Sequence, residues 1–238
     1  MRGRKAKAKP GGLARTLNRK VRVPKRPITY HHGSLRTALL RAAERILERD
    51  GIQGLTLRAA AREAGVSHAA PKNHFGDMTG LLSDLAAVGF ERIAATMQAG
   101  VRDTDPPGVR LEAVGRGYVT FAREHPGLFL LMYRSERLDI ERPALRDAVI
   151  ASGRVLYGAV GAVREEDLTG PLTLPQAAHI VSAWSLVHGF AVLLLDGRLK
   201  LLMSRLPPGT GADALLKVML DASTVKDPST LKPTEVKL

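Results

Sequence analysis

The stretch Thr56-Leu57-Arg58-Ala59-Ala60-Ala61-Arg62-Glu63-Ala64-Gly65-Val66-Ser67-His68-Ala69-Ala70-Pro71-Lys72-Asn73-His74-Phe75 decides the fold. Thr56 is placed to cap a helix, its hydroxyl accepting an unpaired N–H of the opening turn. Leu57, Ala60, Ala61 and Ala64 then recur at helical spacing. Gly65 breaks that helix and tolerates the positive φ of a tight turn. Val66 is the apolar residue that tucks under the turn. Ser67 reads as a second N-cap, with a helix running on through His74. Two short helices joined in this way form a helix-turn-helix, whose second helix enters the DNA major groove. A helical hairpin with no ligand carries the same local signature, so the neighbouring sequence has to decide.

Upstream, Leu35, Ala38, Leu39, Ala42, Ala43, Ile46 and Leu47 make one apolar helix face, with Arg36, Arg41, Glu44, Arg45 and Glu48 opposite. Ser34 is a candidate cap and Gly51 a candidate stop. This helix closes a three-helix core over the motif. Downstream, Asp77 caps a long helix expected over about Met78 to Val101, and Asp103 to Gly108 interrupts the chain. Histidines 31 and 32 have no further ligand at metal spacing, so no metal site and no cofactor are expected.

Residues 30–90 resemble the DNA-binding domain of the tetracycline-repressor (TetR) family of bacterial transcription regulators. The matching pieces are Tyr30-His31-His32-Gly33-Ser34-Leu35, Leu55-Thr56-Leu57-Arg58, Ala64-Gly65-Val66-Ser67, His74-Phe75-Gly76-Asp77 and Gly80-Leu81-Leu82. Trp184 with His188-Gly189 resembles the Trp/His-Gly signature of one subgroup's C-terminal domain. The resemblance implies an all-α chain: an N-terminal helix-turn-helix domain, then a C-terminal helical domain for effector binding and dimerisation. It implies domains at 30–77 and 78–225, a ligand-responsive repressor, and a homodimer on a near-palindromic operator. Two departures stand out. Lys72 replaces a tyrosine that contacts the DNA backbone, keeping a phosphate partner. Met78 replaces a lysine at the next helix start, losing one.

Within the motif, Thr56 and Arg58 sit at a helix N-terminus, where backbone N–H groups and positive charge hold phosphates. Ser67, His68, Ala69, Ala70, Lys72, Asn73 and His74 form the candidate reading surface. The two alanines are small enough to approach thymine methyls, and His68 and Asn73 can bond base edges. Pro71, at the fourth position of the expected helix, should tighten or distort the first turn. Phe75 should pack inward.

The 238 residues are 45% hydrophobic, which suffices for two modest domains, and contain no cysteine. Disulfides and thiolate metal sites are thereby excluded, and a cytoplasmic location is compatible. No uninterrupted run of about 18 apolar residues predicts a membrane span. Eleven Lys and Arg lie in residues 1–30 with no acid, so this arm supplies +11 of the net +13. Pro10, Gly11, Gly12, Pro24 and Pro27 argue for disorder over residues 1–29, and a second disordered tail is expected over 226–238. The arm reads as a phosphate- or minor-groove-binding segment, as a solvated tail, or as a start assigned upstream of a true one near Val21 or Val23.

The C-terminal part reads as helices over Val109–Glu124, Leu128–Arg134, Pro143–Val163, Pro175–Leu195 and Gly211–Ala222. The stretch 183–195 is apolar almost all round, which points to burial on several sides and to a dimer. Trp184 and His188, one turn apart, share a face. With Phe121, Met132, Tyr133 and Tyr157 they form a candidate effector pocket; ordinary core packing reads the same residues equally well. Enzyme signatures are missing: no nucleophile elbow, no His-Glu-Xaa-Xaa-His, no phosphate loop. Three functions remain: an effector-released regulator, an architectural DNA-binding protein driven by the basic arm, and a helical dimer that recruits protein partners.

Overall fold

A computed structural model describes residues 32–223. The basic arm at 1–29, the question of its start, Tyr30, His31 and the tail at 226–238 lie outside the described residues. Among the described residues there are helices and no strand, as the all-α reading requires.

Ten α-helices follow in order: α1 His32–Gly54, α2 Leu57–Glu63, α3 Ala70–Phe75, α4 Met78–Ala99, α5 Pro107–Glu124, α6 Pro126–Met132, α7 Pro143–Arg164, α8 Leu174–Leu195, α9 Lys200–Met203 and α10 Ala212–Ser223. A single 3-10 turn, Ser135–Arg137, lies between α6 and α7. Local chemistry explains most boundaries. Asp77 caps α4, its Oδ1 accepting Gly80 N–H at 2.8 Å. Thr173 and Gln176 close a reciprocal capping box at the start of α8. Prolines 107, 126 and 143 stand in the first turn of α5, α6 and α7, where a missing N–H costs nothing. For that reason α5 and α6 each begin two residues earlier than their apolar pattern indicates. α1 already runs from His32, so Ser34 lies inside its first turn. Gly51 does break the helix, at φ +69°, and a short extra turn reaches Gly54. The turn α9 has no counterpart in the sequence reading.

α4 organises the molecule. Its first turns meet α1 and α3; the rest packs between α5, α6 and α7. Gly117 of α5 makes this close crossing possible, since a Cβ there would stand 2.5 Å from the carbonyl oxygen of Thr96 on α4. A main apolar core results. It runs from Leu39, Ala60 and Phe75 through Leu81 and Leu85 to Phe121, Phe129 and Phe190, so the described chain from His32 onward forms one compact unit.

Three polar ties bind α1 to the helices behind it. Asp84 of α4, 2% exposed, accepts from Arg36 of α1 at 2.8 Å and from Arg142, just before α7, at 2.5 and 3.2 Å. Glu48 of α1 caps the N-terminus of α6, accepting the N–H groups of Gly127 at 2.8 Å and Leu128 at 2.9 Å. Glu44 of α1 makes a two-pronged pair with Arg92 of α4. A buried carboxylate is tolerated only when its charge and lone pairs are matched, and Asp84 has two guanidinium partners.

The apolar face of α8 is only partly covered. Ile180, Val187, Phe190 and Ala191 are buried, whereas Val181 (54%) and Trp184 (41%) are exposed, as is Val218 (65%) on the neighbouring α10. By length and mean hydropathy alone, α8 also resembles a membrane span. Counting uninterrupted apolar residues misses this, because Gln176, His179, Ser182, Ser185 and His188 are spaced through it.

Candidate functional site

The chemistry concentrates at two places, the α2–turn–α3 unit and a cavity among α4 to α8.

In the first, Ala59 N–H donates to Thr56 Oγ1 at 3.0 Å, and Thr56 has the extended backbone of an N-cap. At the other end, Gly65 N–H donates to the Arg62 carbonyl and Val66 N–H to that of Ala61, with Gly65 at φ +68°. This pair of bonds is a Schellman closure, which needs the left-handed residue that glycine supplies. Val66 is half-buried against the core.

The second helix corrects the sequence reading. Ser67 does not cap it through its side chain. Residues 67–69 form a turn, closed by Ala70 N–H on the Ser67 carbonyl, and α3 begins at Ala70. Pro71 is therefore the second helical residue rather than the fourth, and its missing N–H falls where no helical bond is due. Ala70, 8% exposed, and Pro71 are buried with Phe75, so Ala70 faces the core rather than the exposed surface. Ser67, His68, Ala69, Lys72 and Asn73 are exposed and His74 is half-buried. Phe75 packs inward, 3% exposed, with the Arg36 guanidinium 5.9 Å over its ring.

Exposed cations beside this surface differ in whether they are free. Arg45 and Arg49 of α1 bind Glu63 at 3.0 and 3.7 Å, and the Arg45 hydrogen bond holds the Glu63 carboxyl below its ordinary pKa. Thr56, Arg58 and Lys72 are exposed, and neither Arg58 nor Lys72 has a carboxylate partner among the described residues. The arrangement leaves positive charge available at the N-terminus of α2 and along α3.

The cavity has a volume of about 340 Å³, within the range of small-molecule sites. Met132, Tyr133, Tyr157 and Trp184 are among the residues that line it. Phe121 does not; it is fully buried in the apolar core. His188 stands behind the wall. Its Nδ1 lies 2.8 Å from Tyr118 Oη, and its ring centroid is 4.5 Å from that of Tyr133. Tyr118 is the residue that sequence reasoning missed, having been read only as part of an apolar face. Its Oη is 2.7 Å from Tyr133 Oη and receives Trp184 Nε1–H at 3.4 Å. A tyrosine within a buried helix face needs a hydroxyl partner, and that was the available signal. Burial pushes the Tyr118 and Tyr133 phenols well above their ordinary pKa and pushes His188 below its own, so the network is held neutral.

The sequence and the fold have counterparts in known proteins. Residues 39–85 match the sequence model described as bacterial regulatory proteins, tetR family, and residues 111–222 match that of the tetracyclin repressor-like C-terminal domain. The uncharacterized HTH-type transcriptional regulator YobS of Bacillus subtilis (strain 168) is 25% identical over 166 residues, covering 68% of this chain and 80% of its own. A solved protein of unknown function from Rhodococcus sp. RHA1 is 35% identical, with a TM-score of 0.67 over 83% of this chain and 97% of that one. A TetR-family transcriptional regulator from Haemophilus influenzae RD shares the fold at 17% identity, with a TM-score of 0.57 over 81% of this chain and 95% of that one. With the helix-turn-helix and the helical C-terminal domain both matched in order, the chain belongs to the TetR family and is a DNA-binding transcriptional regulator.

Proposed function

We propose that this regulator is a repressor released from its operator by a small molecule held in the 340 Å³ cavity. The observation that carries the reading is the physical link between the two sites. Met132 and Tyr133, in the cavity wall, end helix α6, whose N-terminus is held by Glu48 of α1. Leu138 and Ile140 line the other side, in the segment whose Asp139 N–H donates to Ser83 Oγ and whose Arg142 shares Asp84 with Arg36 of α1. A ligand that displaces α6 or this segment relative to α4 moves α1, on which α2 and α3 are packed. Such a ligand favours one head spacing over another by its difference in affinity for the two.

On this reading residues 30–77 form the DNA-binding domain and 78–225 the effector and dimerisation domain, with α4 shared between them. Thr56, Arg58, Lys72 and the N-terminus of α2 hold phosphates; Ser67, His68, Ala69, Asn73 and His74 face the groove. The uncovered apolar face of α8 and α10 packs on a second copy, and the two-fold axis makes the operator near-palindromic. A DNA partner places the protein in the cytoplasm.

Selection from random duplexes at near-physiological salt tests the reading. A two-fold symmetric consensus, with binding weakened by a ligand of the cavity, is the expected result. Tight, salt-sensitive binding with no consensus would instead favour an architectural role driven by the basic arm.

A further inference from the structure

Of the residues that line the cavity, none is Asp, Glu, Lys or Arg. Its walls are aromatic and aliphatic, with Phe90, Tyr157 and Trp184 among them. An ionised ligand group would lose its water there and find no opposite charge. Ser135, Ser152 and Tyr157 add hydroxyls to the wall, that of Ser152 donating to the Val149 carbonyl, and Tyr118, Tyr133, Trp184 and His188 form a bonded polar cluster.

The protons in that cluster can be assigned from the chemistry of the groups. Tyr118 has one proton and two close neighbours, Tyr133 Oη at 2.7 Å and His188 Nδ1 at 2.8 Å. A phenol is a better donor than a neutral imidazole N–H, and an imidazole nitrogen a better acceptor than a phenol oxygen. Burial keeps His188 neutral. Tyr118 therefore donates to His188, and Tyr133 donates to Tyr118. Trp184 N–H is a further donor onto Tyr118, at a long 3.4 Å. These three donors fill three of the five acceptor positions, two on each phenol oxygen and one on the imidazole, and neutral His188 keeps a fourth donor, Nε2–H, on the far side of its ring. Within the network the spare acceptor capacity lies on Tyr133 Oη, because Tyr118 Oη already receives Tyr133 and Trp184.

We propose that the cavity takes an uncharged, largely apolar ring compound carrying one hydroxyl-type donor, seated with that donor on Tyr133 Oη. The inference rests on the effector reading of the cavity, and it specifies the chemical class.

Isothermal titration calorimetry on the full chain at about pH 7 tests it with three probes of one shape: 2-naphthol, its methyl ether and 2-naphthoate. The expected result is saturable binding of 2-naphthol, about tenfold tighter than the ether for the one hydrogen bond lost, and no saturable binding of the carboxylate. Tyr133→Phe should bring 2-naphthol down to the affinity of the ether and leave the ether unchanged. The proposal is overturned if the carboxylate binds as well as the alcohol, if alcohol and ether bind alike to the natural chain, if Tyr133→Phe preserves their ratio, or if none of the three binds. The probe comparison on the natural chain stands even where the variant does not fold. Operator release is measured separately. The expected donor preference without any change in DNA affinity would support the ligand class while sinking the effector reading.

Discussion

The α2–turn–α3 unit and the α4–α8 cavity are built by opposite rules. The head packs small residues, Ala60, Ala61 and Ala70, around Phe75, and its polar groups point outward. Around the cavity, bulky aromatic side chains leave space between them, and Tyr118, Tyr133, Trp184 and His188 bond to one another at its wall. A surface that reads DNA must present donors and charge to water until the duplex arrives. A site for a small molecule must keep volume empty inside a core that otherwise closes up. Head residues are thus exchangeable at the surface and unforgiving beneath it, and the reverse tolerance is expected of the cavity wall.

That contrast can be broken most severely at Phe75. Phe75→Ala should cost about 3–5 kcal/mol, because the ring is 3% exposed and holds α3 to α1; urea unfolding measures it. An equivalent truncation at Tyr157, 37% exposed, should cost well under half as much. Next comes Asp84, the carboxylate that ties head to cavity. Asp84→Asn should lower stability by about 3 kcal/mol, since Arg36 and Arg142 lose their shared counter-charge. The same change should blunt the response of DNA binding to ligand, and a gel shift at fixed ligand concentration reads that. An undiminished response would mean that the signal travels through Glu48 and α6 alone.

Smaller effects sharpen the comparison. Arg58→Ala should weaken all DNA about tenfold, near 1.4 kcal/mol by the relation of affinity to free energy, and leave stability within about 0.5 kcal/mol. His68→Ala should relax preference at one or two base positions instead. Should Arg58→Ala change base preference, the division between phosphate and base contacts drawn above is wrong. The smallest effect is a pH dependence. Tyr118 and Tyr133 have raised pKa values in the folded chain, so above about pH 10 the unfolded chain releases protons that the folded chain retains. Stability should therefore fall as pH rises past 10. Tyr118→Phe, itself costing about 1 kcal/mol for its lost hydrogen bonds, should flatten that fall in urea midpoints taken between pH 9 and 11.

Sequence alone determined the helices, the turn at Gly65 and the inward Phe75, because caps, glycine and apolar periodicity act over a few residues. Thr56 bonds to Ala59 and Asp77 to Gly80, each three positions away. Local signals compete at the start of α3: Ser67 has the chemistry of a cap, but Pro71 fits best as the second helical residue, and starting the helix at Ala70 turns that alanine inward. Tertiary structure decided the cavity. Trp184 and His188 find Tyr118 across 66 and 70 residues, and Arg142 finds Asp84 across 58. Whether a residue of α5 is enclosed in the core, as Phe121 is, or borders open space, as Tyr118 does, depends on how five helices cross. Each helix carries its apolar pattern in its own residues, but the space left between helices belongs to none of them.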